Sequence, residues 1–174
     1  LGELNEKSSQ QQGRVPSKPY VPAAEPLVQV IQSSDQPMAT KVAALIGLRR
    51  ILKDGKPPRL FRDEIAKVLV EELKSTAGPN LTDGQSWYLW RLIDALGMMS
   101  EPRSATQSPL VVDTLWETML NDTLPWHLRT QAARSLSQLS FDGSFNVGLL
   151  AHEIVRLSGM IATQYNQNRP ESAY

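Results

Sequence analysis

From Pro26 to about residue 165 the chain repeats one device: a short apolar stripe at three- and four-residue spacing, then a turn-forming break. The breaks are Asp54-Gly55, Gly78-Pro79, Pro102, Pro109, Pro125 and Asp142-Gly143. Apolar residues recurring every three to four positions build one buried face of a helix, whereas a strand needs strict alternation, and no alternating stretch competes. The pattern therefore predicts an all-α chain of about seven helices. Residues 1–23 lack it: Gln10, Gln11 and Gln12 stand in a row and prolines follow at 16, 19 and 22, so this stretch offers no face to bury and reads as a linker or tail. The expected division is a tail over 1–23, a helical domain over 24–166, and a short tail over 167–174.

The first helix is expected near 24–33, with Pro26 in its first turn. The second covers 37–53, with Val42, Leu45, Leu48, Ile51 and Leu52 in one stripe and Lys53 and Gly55 at its end. The third, 58–76, sets Phe61, Ile65, Val68, Leu69 and Leu73 against a charged opposite face. The fourth opens at Thr82, whose hydroxyl and Gln85 three residues on form a capping box, and is apolar nearly all round, as an inner helix must be. The fifth follows Ser108 as N-cap, with Pro109 in its first turn. The sixth starts near Pro125, and the seventh, 145–165, carries Leu150, Ile154, Leu157 and Ile161.

The second and sixth helices overlay under a shift of 88 residues: Pro37 falls on Pro125, Lys41 on Arg129, Ala44 on Ala132, Leu48 on Leu136 and Ile51 on Leu139. The fourth joins this frame when Leu96 is set against Leu48 and Leu136, in steps of 48 and 40 residues. The segment from Asp122 through Trp126, Arg129, Ala132 and Leu136 to Leu139 resembles the turn and second helix of a HEAT repeat: an acidic turn residue, an aliphatic–Arg pair, two small residues, then spaced leucines. Asp35, Lys41, Ala43, Ala44 and Leu48 follow it less closely, with Thr40 in place of the aliphatic residue. The resemblance implies a right-handed stack of antiparallel helix pairs, a HEAT/armadillo-like α-α superhelix. It also implies a scaffold that binds proteins along a curved surface, a few such proteins binding nucleic acid instead. Within the pattern, Asp would accept backbone amides at the helix start, and the alanines would let helices approach closely.

Residues for chemistry are few. Cysteine is absent, which excludes disulfides, thiolate zinc sites and thiol nucleophiles and leaves the compartment open. Of the two histidines, His127 lies in a turn and suits a surface or capping role. His152-Glu153 has half of a zinc-protease motif, but Arg156 occupies the second ligand's place. No phosphate-binding loop or nucleophile elbow occurs, and Gly47 and Gly97 read as close-packing positions. The carboxylate pairs Asp63-Glu64 and Glu71-Glu72 lie on a solvated helix face. The expectation is a protein without catalytic residues, cofactor or metal.

Two features offer a binding surface. Arg49, Arg50, Lys53, Lys56, Arg59 and Arg62 gather around the second-to-third helix junction with Asp54 as the acid among them, a local charge of plus five by count. The alternative to an anion site is that these cations complement a helix C-terminus in water. Trp87, Tyr88 and Trp90 crowd into four positions, so they cannot all face one seam; Trp87 or Tyr88 is the candidate to reach a partner. Eighteen Lys and Arg balance eighteen Asp and Glu, which argues against a protein that grips nucleic acid or anionic membrane through its overall field. No apolar run is long enough to span a bilayer. The combined expectation is a monomeric, non-enzymatic interaction module that binds another protein or another domain of its own chain. The alternative is an anionic partner such as nucleic acid, bound by the 49–62 cluster.

Overall fold

The computed structural model describes residues 19–99, 109–141 and 145–167, and within them the chain is helical with no strand. The helices are α1 (Ala24–Gln32), α2 (Met38–Arg50), α3 (Arg59–Thr76), α4 (Asp83–Leu96), α5 (Leu110–Leu120), α6 (Trp126–Ser137) and α7 (Val147–Gln167). Each consecutive pair packs together: α1 on α2, α3 on α4, α5 on α6. The even helices also touch in sequence order, α2 on α4 and α4 on α6, as do the odd ones, α1 on α3 and α3 on α5, while α7 rests on α6. Helix α4 thus has neighbours on several sides. Seven of its fourteen residues are buried, which explains its nearly continuous apolar sequence.

One core runs through these contacts. Leu48, Leu69, Leu92, Leu96, Leu115, Leu128 and Leu136 are fully enclosed. Each such side chain contributes roughly 1.5–3 kcal/mol when removed from water. Small residues set the helix spacing. A Cβ on Gly97 would lie 2.8 Å from the Ser135 Cβ and 2.9 Å from its Cα, so α4 ends almost against the backbone of α6. Gly47 accommodates Leu27 of α1 in the same manner, at 3.1 Å. Both in-helix glycines thus serve packing.

Helix starts are of several kinds: α1 follows Ala23 with no side-chain cap, and at α7 the Asn146 Oδ1 accepts from the Leu149 amide (2.9 Å). Thr82 and Gln85 form the full capping box: the Gln85 amide donates to the Thr82 Oγ1 (3.3 Å), and the Thr82 amide donates to the Gln85 Oε1 (2.9 Å). Helices α2, α3, α5 and α6 instead follow Pro37, Pro58, Pro109 and Pro125, with no side-chain cap. This corrects the expectation that Asp35 and Asp122 cap helix starts. The carbonyl of Pro37 accepts from the Thr40 and Lys41 amides, and that of Pro125 accepts from Leu128 and Arg129. Pro37, Pro58 and Pro125 share one extended geometry (φ −53° to −56°, ψ 145° to 147°), which presents the carbonyl to the first helical amides. Ser108, the expected cap of α5, lies outside the described residues.

The end of α2 also differs from expectation. After Arg50 the chain widens into a π turn, Ile51–Gly55, and reverses at Lys56, which takes the left-handed conformation (φ 49°, ψ 62°). Gly55 does not supply the positive φ. A Cβ there would meet Val21 (3.1 Å) and Pro19 (3.4 Å), so it makes room for the incoming chain, whose Val21–Ala23 forms a 3-10 turn leading into α1. Part of the segment read as a tail, Val21 and Ala23, therefore packs against the core.

Candidate functional site

The basic cluster does not form one free surface. The Arg49 guanidinium pairs through its Nε with Asp94 Oδ2 of α4, and Asp94 is buried. Arg62 donates from Nη1 to the carbonyl of Met99 (3.2 Å), tying α3 to the turn after α4. Arg50, Lys53, Lys56 and Arg59 are exposed, and Arg50 and Arg59 have partners of their own. Two of the six cations are thus committed to holding helices together.

Asp94 is a feature that sequence reasoning missed. It anchors a buried polar network spanning three helices. Besides Arg49 of α2, the Gln131 Nε2 of α6 donates to Asp94 Oδ1 (3.3 Å), and Ser135 Oγ donates to the carbonyl of Ile93 (2.8 Å). A lone carboxylate in low dielectric is expensive, and the Arg49 cation with the Gln131 amide offsets that cost. The one sequence signal was an acid amid the apolar residues that end α4; its partners lie about forty residues away on either side.

The two aromatic candidates separate. Tyr88 is 1% exposed and its hydroxyl donates to Glu72 Oε2 (2.8 Å), with Lys41 Nζ on the same carboxylate at 3.4 Å. Burial first, then the Glu72 hydrogen bond, pushes its phenol well above the usual range. Tyr88 is therefore a core residue, which corrects its candidacy as a contact for a partner. Trp87 is 49% exposed. Its ring stacks parallel on Trp90, with centroids 5.4 Å apart, and the Arg91 guanidinium lies over both, 4.6 Å from Trp87 and 4.9 Å from Trp90. Residues 87, 90, 91 and 94 share one helical face, so this aromatic–cationic patch runs directly into the Asp94 network. At its flank, Ser86 Oγ and His127 Nε2 are hydrogen bonded at 2.6 Å, joining the starts of α4 and α6.

Other charged groups have local uses. Arg129 is buried and its Nε donates to the carbonyl of Met119 (3.0 Å), closing the end of α5. Burial lowers its pKa, and Asp122 opposes the shift. Glu153 bonds Arg156 (2.7 Å), which holds its carboxyl below the usual range; His152 flanks it at 3.4 Å. No group of three metal-ligating side chains occurs among the described residues, and no described helix is long and apolar enough to cross a membrane. A hollow of about 340 Å³ between α6 and α7 is lined by Arg134, Ala133, Ile154 and Leu157. Compared with family models, with curated proteins and with solved structures, the chain matches none.

Proposed function

We infer that this chain is a HEAT-like helical-repeat module that binds another protein, or another part of its own chain, on the face formed by α2, α4 and α6. The observation that carries the reading is Trp87: a tryptophan left half-exposed, stacked on Trp90 with Arg91 over the pair, on a helix packed against α2, α3, α5 and α6. Exposed rigid aromatics next to arginine are the usual energetic anchors of protein interfaces. The order of helix contacts and the 88-residue correspondence support the repeat reading, since stacked pairs touch in this order.

The repeat register supports a common face. Shifting Trp87, Trp90, Arg91 and Asp94 by 40 residues gives His127, Thr130, Gln131 and Arg134; shifting back by 48 gives Ala39, Val42, Ala43 and Ile46. The Asp94–Gln131 bond joins adjacent stripes of this register, and the Ser86–His127 bond lies at its flank. The test is quantitative capture with immobilised wild type, Trp87→Ala and Lys53→Glu/Lys56→Glu. Proteins retained by wild type and by the charge variant but lost by Trp87→Ala support the reading. Capture indifferent to Trp87 contradicts it. The anionic-partner reading rests on the exposed Arg50, Lys53, Lys56 and Arg59. It requires binding that weakens steeply with salt, by a log–log slope of about 0.7–0.9 per phosphate contact.

A further inference from the structure

We propose that the partner bound on the α2–α4–α6 face is an acidic peptide segment, its apolar residues seated on Trp87 and Ile46 and its carboxylates paired with Arg91 and Arg134. This rests on the protein-binding reading above and names the chemistry of its partner.

The argument is one of charge complementarity. Arg91 and Arg134 make no ion pair with any described residue, although the nearest acid in the register, Asp94, is present. Asp94 is already taken by Arg49 and Gln131, and it is buried. Its negative charge is therefore neutralised inside the protein, and the face above it carries the exposed Arg134 and the part-buried Arg91, whose Nε is enclosed without a hydrogen-bond partner. Arg91 is also oriented. Placed over two indole rings, it gives up rotamer freedom before any partner arrives, and its planar fork suits bidentate capture of a carboxylate.

The apolar content fits a peptide better than a polynucleotide. Ile46, 48% exposed, lies one turn from Arg49 on α2, and the Arg49–Asp94 pair brings that stripe beside α4. Two apolar anchors on neighbouring helices, with Arg91 beside Trp87 on α4 and Arg134 on α6, match alternating apolar and acidic side chains. A nucleic-acid track would need a run of cations along the backbone. Here the α2 stripe supplies Ala39, Val42, Ala43 and Ile46, none of them charged.

The experiment is a fluorescence-anisotropy titration of the full chain with a labelled dodecapeptide of three Glu-Glu-Leu-Pro blocks. Matched peptides with Gln-Gln or Lys-Lys in place of Glu-Glu, and a twelve-residue oligothymidylate, complete the set. The acidic peptide should bind about tenfold or more tighter than the Gln form, and the Lys form and the oligonucleotide should not bind. Trp87→Ala and Arg91→Gln should each weaken it by about tenfold or more. Arg134→Gln, on an exposed side chain away from the core, should weaken it with no change in unfolding midpoint. Equal binding of the acidic and neutral peptides, still lost in Trp87→Ala, overturns the acidic assignment and leaves the protein-binding face standing. Preference for the oligonucleotide, or binding of none of the four probes, overturns the proposal.

Discussion

Replacing Gly97 by Ala tests the packing account at its tightest point. The new Cβ would start 2.8 Å from the Ser135 Cβ and Oγ and 2.9 Å from the Ser135 Cα. A flexible side chain could turn aside, but a backbone atom cannot, so α4 and α6 must separate. Overpacking of this kind costs roughly 1–3 kcal/mol. Separation also stretches the 2.8 Å bond from Ser135 to the Ile93 carbonyl, a further loss of about 1 kcal/mol. Against this, Gly97 has ordinary right-handed backbone angles (φ −63°, ψ −17°), so Ala gains about 0.4–1 kcal/mol from the unfolded chain. The net expectation is a loss of about 2 kcal/mol, a fall in Tm of about 4–8 °C for a chain of this size. Urea denaturation followed by circular dichroism at 222 nm would measure it. Gly84 on the same helix is the control: nothing lies within 4 Å of its added Cβ, so Gly84→Ala should be neutral or stabilise by up to about 1 kcal/mol. Gly97→Ala as stable as wild type would refute the claim that α4 and α6 meet at this glycine.

Other consequences are as direct. Lys56→Gly should raise stability by about 0.5–1 kcal/mol in the same assay, because Lys56 holds a left-handed backbone that only glycine adopts without penalty. Arg49→Met should cost about 3 kcal/mol and more than Asp94→Asn, since it strands a buried carboxylate, whereas Arg49, with 31% of its side chain exposed, can turn to water when Asp94 is neutralised. Tyr88→Ala should cost about 3–5 kcal/mol and Trp87→Ala no more than about 1 kcal/mol, by chemical denaturation of each. The raised Tyr88 phenol binds its proton more tightly in the folded state, so its contribution is complete below pH 10 and declines as pH rises further, by up to about 1.4 kcal/mol per pH unit. Tyr88→Phe should lack that component of the alkaline stability loss.

The helices were legible because the apolar periodicity of each stripe is local, and the Thr82–Gln85 box was legible because both partners sit within one turn. What was not legible depended on residues far apart in sequence. In the sequence Arg49 is one of six clustered cations that could bind a partner or complement a helix end; its buried partner Asp94 lies 45 positions on. Asp35 and Asp122 looked like caps by residue type, but Pro37 and Pro125 carry the first helical carbonyls themselves. Lys53 and Gly55 mark the end of the second helix in the sequence. The demand of Pro19 and Val21 for space there, and the π turn that hands the reversal to Lys56, leave no mark in residue spacing. Between Trp87 and Tyr88, one residue apart, only the arrangement of neighbouring helices decides which is buried.

Hydrogen–deuterium exchange of the full chain, with and without the acidic dodecapeptide at saturating concentration, tests the central claim most directly. The account predicts protection concentrated on α4 from Trp87 to Asp94, with the facing segments of α2 around Ile46 and α6 around Arg134. Protection centred on the corner from Arg50 to Arg59, or on α7, would contradict it.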